Sequence, residues 1–239
     1  MVDDDDDVVF NPDLFLPNPD DFPAQTITVG THVPIQLSLF GSAANSTDFD
    51  MTGIIVWPVS KLLAWYIIEH AHLFRDKNVL EIGCGCALAG LAAVSMGSKS
   101  VILTDGEPLV LDTVGRTVEA FYAGMQVQLA QLLWGSDGNV ADFFGRGCCD
   151  VVIGADVFHP SFGEPVEVFE LVEQLAKDLD CFKFIVGYVD RNNKDAVFGA
   201  AKTMGWSYEH TPNEGFMGLA EPLSSRPLFI YTFEKKKIV

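Results

Sequence analysis

Three groups of residues have types and spacings that can do chemistry. The first is Glu81-Ile82-Gly83-Cys84-Gly85, an acid followed by glycines at alternate positions. Glycine there permits a sharp turn and lets backbone amides approach a ligand, since no Cβ intervenes. Twenty-two residues after Gly83, Asp105 closes the run VILTDG; an acid so placed can accept hydrogen bonds from both hydroxyls of a ribose. The second group, Gly154-Ala155-Asp156-Val157-Phe158-His159-Pro160, puts a carboxylate, a ring and an imidazole within four positions. A carboxylate can orient an incoming amine, and a histidine can take a proton near neutral pH because its ordinary pKa is about 6.5. The third is a pair of indoles, Trp57 before Pro58 and Trp134 in LLWG. An aromatic face stacked on a purine is worth about 1 to 3 kcal/mol. Taken singly, each group also has a plain structural reading: a tight strand-to-helix connection, a helix N-cap, core aromatics, a capping or ion-paired acid, a histidine at a cleft rim.

These residues need elements that bring them together, and the hydrophobic pattern supplies them. Strands are expected at Thr26–Val29 and Val33–Phe40, joined by a Gly30 turn as an N-terminal hairpin. A helix is expected from Pro58, with Val59, Leu62, Leu63, Tyr66, Ile67 and His70 on its buried face. From there strand and helix alternate: strands at 78–82, 101–104, 127–134, 150–155, 182–188 and 228–233, helices at 87–96, 107–122, 164–179 and 193–204, and an additional strand at 207–211 pairing with the last. Such alternation calls for a parallel sheet with right-handed crossovers. In open sheets of this kind ligands bind outside the carboxyl ends of the strands. The glycine turn, Asp105, Trp134 and Asp156 all follow strands.

A nicotinamide dehydrogenase would need G-x-G-x-x-G, with its third glycine packing the helix beside a pyrophosphate. Here the third glycine is Gly90, two positions too late. The pattern E-x-G-x-G instead resembles motif I of the S-adenosylmethionine-dependent methyltransferases, and within them the chain resembles the family-16 branch, which modifies side chains of other proteins. The likeness runs from about Ile27 to the end. It implies an α/β Rossmann-like seven-strand sheet, mostly parallel with an antiparallel C-terminal strand, preceded by the hairpin and helix. It implies S-adenosyl-L-methionine as cofactor, held by Trp57, Glu81, Gly83, Cys84, Gly85, Asp105, Trp134 and Ala155. Asp156 and His159 are the implied catalytic pair, although the family has an aromatic where His159 stands. Phe158, with Tyr188 and Arg191 of Gly187-Tyr188-Val189-Asp190-Arg191, is implied at the substrate end. The acceptor implied is a protein lysine; arginine or histidine, a small amine, or an inactive cofactor-binding module are the alternatives.

Composition sets the surroundings. The 239 residues carry 33 acids against 15 lysines and arginines, a formal charge of -18. That opposes binding to nucleic acid, which rests on basic side chains displacing counterions, and favours a substrate protein with a basic surface. Eight of the acids lie in the first 21 positions, so residues 1–25 read as an acidic flexible arm and 26–239 as one catalytic domain. No apolar run reaches the roughly 20 residues of a membrane span, and the aspartate-rich start is no secretory signal. Five cysteines without CxxC spacing suggest reduced thiols and no metal site. The expectation is a monomer in the cytoplasm, with the nucleus as the alternative or additional compartment, and no membrane partner.

Overall fold

In the computed structural model, which describes residues 24–29, 33–38, 53, 55–135, 149–176, 178, 181–212 and 226–235, the expected alternation folds into a seven-stranded sheet. The hairpin comes first, β1 (Ala24–Val29) against β2 (Val33–Ser38), antiparallel with Ile27 opposite Ile35. Its first strand begins two residues earlier than its β-branched run suggests. The expected arm therefore falls outside the described residues except for Ala24 and Gln25, which lie in β1. Next come α1 (Pro58–Glu69), β3 (Asn78–Glu81), α2 (Leu88–Ser95), β4 (Ser100–Asp105), α3 (Pro108–Phe121), β5 (Val127–Gln131) and β6 (Val151–Ala155). They are followed by α4 (Pro165–Leu175), β7 (Lys183–Val189), α5 (Lys194–Thr203), β8 (Trp206–Thr211) and β9 (Leu228–Lys235).

The sheet order is β5-β4-β3-β6-β7-β9-β8. The strands from β5 to β7 run parallel, and β9 lies antiparallel to both neighbours. The order reverses between β3 and β6, the first strand and the one that follows the β4 and β5 excursion. A crevice for a ligand opens at such a switch point, above the strands' carboxyl ends. Glu81 and Asp156 stand on either side of it.

Strand residues alternate between two cores, as a sheet covered on both faces requires. Val79, Val101, Leu103, Val151, Ile153 and Ile185 pack under α1, α2, α3 and the hairpin. Leu80, Ile82, Ile102, Val152, Phe184 and Val186 point to the opposite face, where α4 and α5 lie. Burial of each large side chain is worth about 1.5 to 3 kcal/mol.

Several ends fall short of the periodicity, for local reasons. β5 stops at Gln131, whose pairing with Asp105 is the last of the ladder and is completed by the Leu132 amide donating to the Asp105 carbonyl at 3.0 Å. α4 stops at Leu175: Ala176 is extended and bridges Cys149. α1 starts at Pro58 as expected, its N-cap Trp57 extended as a residue before proline must be. It ends one residue before His70, whose ring stacks on Tyr66 with centroids 4.1 Å apart. Among the described residues no helix is long and apolar enough to cross a membrane.

Candidate active site

The turn after β3 is built on left-handed backbone at three alternate positions, Gly83 (φ 58°), Gly85 (φ 51°) and Ala87 (φ 61°). Two of them are glycine, which adopts this region without the penalty that Cβ imposes elsewhere. Close approach adds a second reason at Gly85: a Cβ there would lie 2.9 Å from the Gly53 carbonyl oxygen. Gly85→Ala is expected to lower affinity for S-adenosylhomocysteine at least tenfold, about 1.4 kcal/mol, given left-handed strain of about that size. Isothermal titration would measure it.

Two carboxylates hold the turn. Glu81, 1% exposed, accepts from the Gly90 amide at 2.8 Å and so ties the strand end to the first turn of α2. A Cβ on Gly90 would lie 2.5 Å from that carboxylate oxygen, so this glycine is needed for the contact. Asp105 accepts from the Gly85 amide through Oδ2 and from the Glu107 amide through Oδ1, both at 3.0 Å. The N-cap of α3 is Glu107 rather than Asp105. With one bond on each oxygen, Asp105 keeps lone pairs for further donors. The free lone pairs of Asp105 at the end of β4 suit ribose hydroxyls, so the residues fit the nucleoside part of S-adenosylmethionine.

Burial pushes the Glu81 carboxyl up to about 8, partly offset by the Gly90 bond, with a further rise from the Asp105 charge. The folded value lies above the ordinary 4.5. The folded state therefore binds more protons through that interval, and this contribution to stability is complete below pH 4.5 and lost as pH rises through 8. Glu81→Gln is expected to flatten the fall in thermal midpoint between pH 5 and 8 relative to wild type, by differential scanning calorimetry. Burial also raises Asp105, and it pushes the Cys86 thiol up to about 12 and Cys84 well above its usual value. Neither thiol is a nucleophile at neutral pH.

Trp134 forms one wall: a Cβ on Gly83 would be 3.3 Å from its six-membered ring, and Phe162 meets it edge-on with centroids 6.1 Å apart. Trp57, 43% exposed, stands at the head of α1. Two residues on, Val59 presses on Gly187 of β7, whose carbonyl accepts from the Asp156 amide at 2.8 Å. Trp57 is thus at the same edge of the sheet as Asp156.

Asp156 ends β6 in left-handed backbone, φ 60°. Such strain persists where surroundings fix it from several directions. Here the amide donates to Gly187, the carbonyl accepts from the His159 amide at 3.2 Å, and the carboxylate is gripped by Arg191. Arg191 donates from Nε to Oδ1 at 3.0 Å and from a terminal nitrogen to Oδ2. Val157, the next residue, packs over both Gly83 and Gly154, so the chain just after Asp156 borders the cofactor turn.

Several expected site residues have other positions. Phe158, 5% exposed, packs against Phe169, Phe184 and Phe233 in the core instead of facing a substrate. Tyr188, 2% exposed, is likewise a core side chain among Phe198, Phe229 and Tyr231. His159 accepts from the Ser161 amide through Nδ1 at 3.1 Å, capping the short 3-10 turn Pro160–Phe162. The Cys84 amide is spent on the Thr104 carbonyl at 2.8 Å. Ala155 closes β6 opposite Gly187, where its backbone borders the crevice.

Other residues that build the site are not apparent from motif spacing. Gly90 lies off the dinucleotide fingerprint, yet its amide donates to Glu81. Ala87 continues the alternate spacing of Gly83 and Gly85, a signal present in the sequence. Asn193 donates to the Phe158 carbonyl at 2.7 Å and accepts from the Tyr188 hydroxyl at 2.8 Å, joining the loops after β6 and β7. Among the described residues no three His, Cys, Asp or Glu side chains gather as a metal site would require.

A family model described as lysine methyltransferase matches residues 42–202. A calmodulin-lysine N-methyltransferase of Arabidopsis thaliana is 32% identical over 96 residues, 38% of this chain and 32% of its own length. A histone-arginine methyltransferase, METTL23 of Xenopus laevis, is 32% identical over 108 residues, 45% of each chain. The chain thus spans less than half the length of these curated relatives. Among solved structures, a SAM-dependent methyltransferase from Aquifex aeolicus superposes with a TM-score of 0.56 at 13% identity, covering 74% of this chain and 93% of that one. At that identity the likeness is one of fold.

Proposed function

The chain belongs to the lysine methyltransferase family, and from that premise we propose that it moves the methyl group of S-adenosylmethionine to a lysine side chain of another protein. The observation that carries this reading is Asp156, held in strained backbone directly after β6, with the following Val157 packed over the turn at Gly83. When bound, S-adenosylmethionine supplies a methyl group already made electrophilic by its sulfonium.

The chain's residues have then to bind, orient and align, which is where most of the rate comes from when the electrophile is already activated. Glu81 and Gly90 hold the turn in shape. The spare lone pairs of Asp105 would receive the ribose hydroxyls, Trp134 would lie beside the adenine, and Trp57 would line the cofactor pocket. Asp156 would accept from the lysine nitrogen, which first loses its ammonium proton to solvent, and hold that nitrogen's lone pair toward the methyl group. Phe158, Tyr188 and Asn193 keep the Asp156 loop in place from below. His159 shapes the rim.

Arginine as acceptor is the second reading, favoured by the likeness to the histone-arginine enzyme. In either case the charge of -18 steers the protein to a basic surface. It acts as a monomer in the cytoplasm and nucleus. The test is incubation with tritiated S-adenosylmethionine and a lysate of the source organism. A labelled protein band supports the proposal. Label confined to small molecules points to a small-amine enzyme, and cofactor binding without any product points to an inactive binding module.

A further inference from the structure

We infer that Arg191 makes the acceptor seat selective for amines over guanidinium groups, by filling from within the chain the two-oxygen fork a substrate arginine would need. This rests on the methyl-transfer reading above. The contact between Arg191 and Asp156 engages both carboxylate oxygens, one through Nε and one through a terminal nitrogen. That paired geometry is how carboxylates recognise guanidinium groups.

A carboxylate has about four lone-pair positions, of which Arg191 uses one on each oxygen. An amine needs only one of those remaining, on either oxygen. A second planar guanidinium needs both oxygens together, in the direction where Arg191 already lies. The side chains of Arg191 and Asp156 are 22% and 18% exposed, so the carboxylate can be reached without the pair opening.

The loops do not depend on this pair alone. Asn193 joins Phe158 to Tyr188, and the Asp156 amide bonds Gly187, so the seat survives loss of Arg191.

The experiment compares wild type, Arg191→Gln and Arg191→Lys, each incubated with tritiated S-adenosylmethionine and source lysate. Labelled protein is then acid-hydrolysed and its methylated amino acids are separated. Wild-type label is expected in methyl-lysine. The ratio of methyl-arginine to methyl-lysine should rise at least about tenfold in Arg191→Gln, as when a hydrogen-bonding fork changes its occupant. Arg191→Lys should fall between, since an ammonium closes only part of the fork. A wild-type product that is mostly methyl-arginine overturns the inference, as does an unchanged ratio in both variants. If Arg191→Gln does not fold, the ratio in Arg191→Lys decides by the same criterion. Absence of any labelled protein from wild type removes the methyl-transfer reading and this inference with it, whereas label in an unchanged ratio removes the inference alone.

Discussion

Asp156→Asn is expected to reduce methyl transfer to protein by about 100-fold or more while leaving S-adenosylhomocysteine affinity within about twofold, in the range seen when a positioned acid or base is removed. Asparagine is the variant of choice because residue 156 has φ 60°, a region Asn tolerates and Ala does not. The change keeps the size of the side chain and replaces one acceptor oxygen by a donor. It therefore opposes Arg191 where the carboxylate attracted it, and removes the charge that would hold an amine. Cofactor affinity is spared because the bonds to the turn come from Glu81 and Asp105. Initial rates of tritium transfer into lysate protein, set beside a calorimetric titration, separate the two effects. Near wild-type transfer would remove Asp156 from the mechanism.

Gly90→Ala is expected to destabilise the domain and loosen the cofactor turn together. Its Cβ would stand 2.2 Å from Leu103 Cδ2 and 2.5 Å from Glu81 Oε2. Neither neighbour can retreat: Leu103 is fully buried in the sheet, and Glu81 is held by the amide of residue 90 itself. Overpacking of this kind costs about 1 to 3 kcal/mol and sometimes more. For a domain of this size that corresponds to a fall in thermal midpoint of about 2 to 12 °C. Cofactor affinity should fall with it, since Glu81 shapes the turn. Gly199→Ala in α5 is the internal contrast. A Cβ there meets nothing within 4 Å, so the substitution should stabilise by about 0.8 to 1 kcal/mol through helix propensity alone. Thermal melts of the two variants should move in opposite directions.

The strand and helix order could be read from the sequence because each element has its own period, and the glycine turn because Gly83 and Gly85 sit where backbone must turn. Boundaries were less accessible. The end of α4 depends on a bridge from Ala176 to Cys149. That pairing leaves no local mark in the chain. Within the site, motif position was a poor guide to side-chain direction. Tyr188 lies two and four residues after Val186 and Phe184, so the two-residue period of a strand already put it on the core face. The likeness to a substrate segment obscured that. Arg191 and Asp156 are 35 residues apart, as are Asn193 and Phe158. Such pairs become visible only when β6 and β7 lie side by side.

The most direct test of the cofactor site is a calorimetric titration of the purified chain with S-adenosylmethionine, run in parallel on Gly85→Ala. Saturable binding near one molecule per chain, weakened at least tenfold by a change that places a Cβ against the Gly53 carbonyl, is the expected result. Absence of saturable binding to the wild-type chain, or equal affinity in the variant, would contradict it.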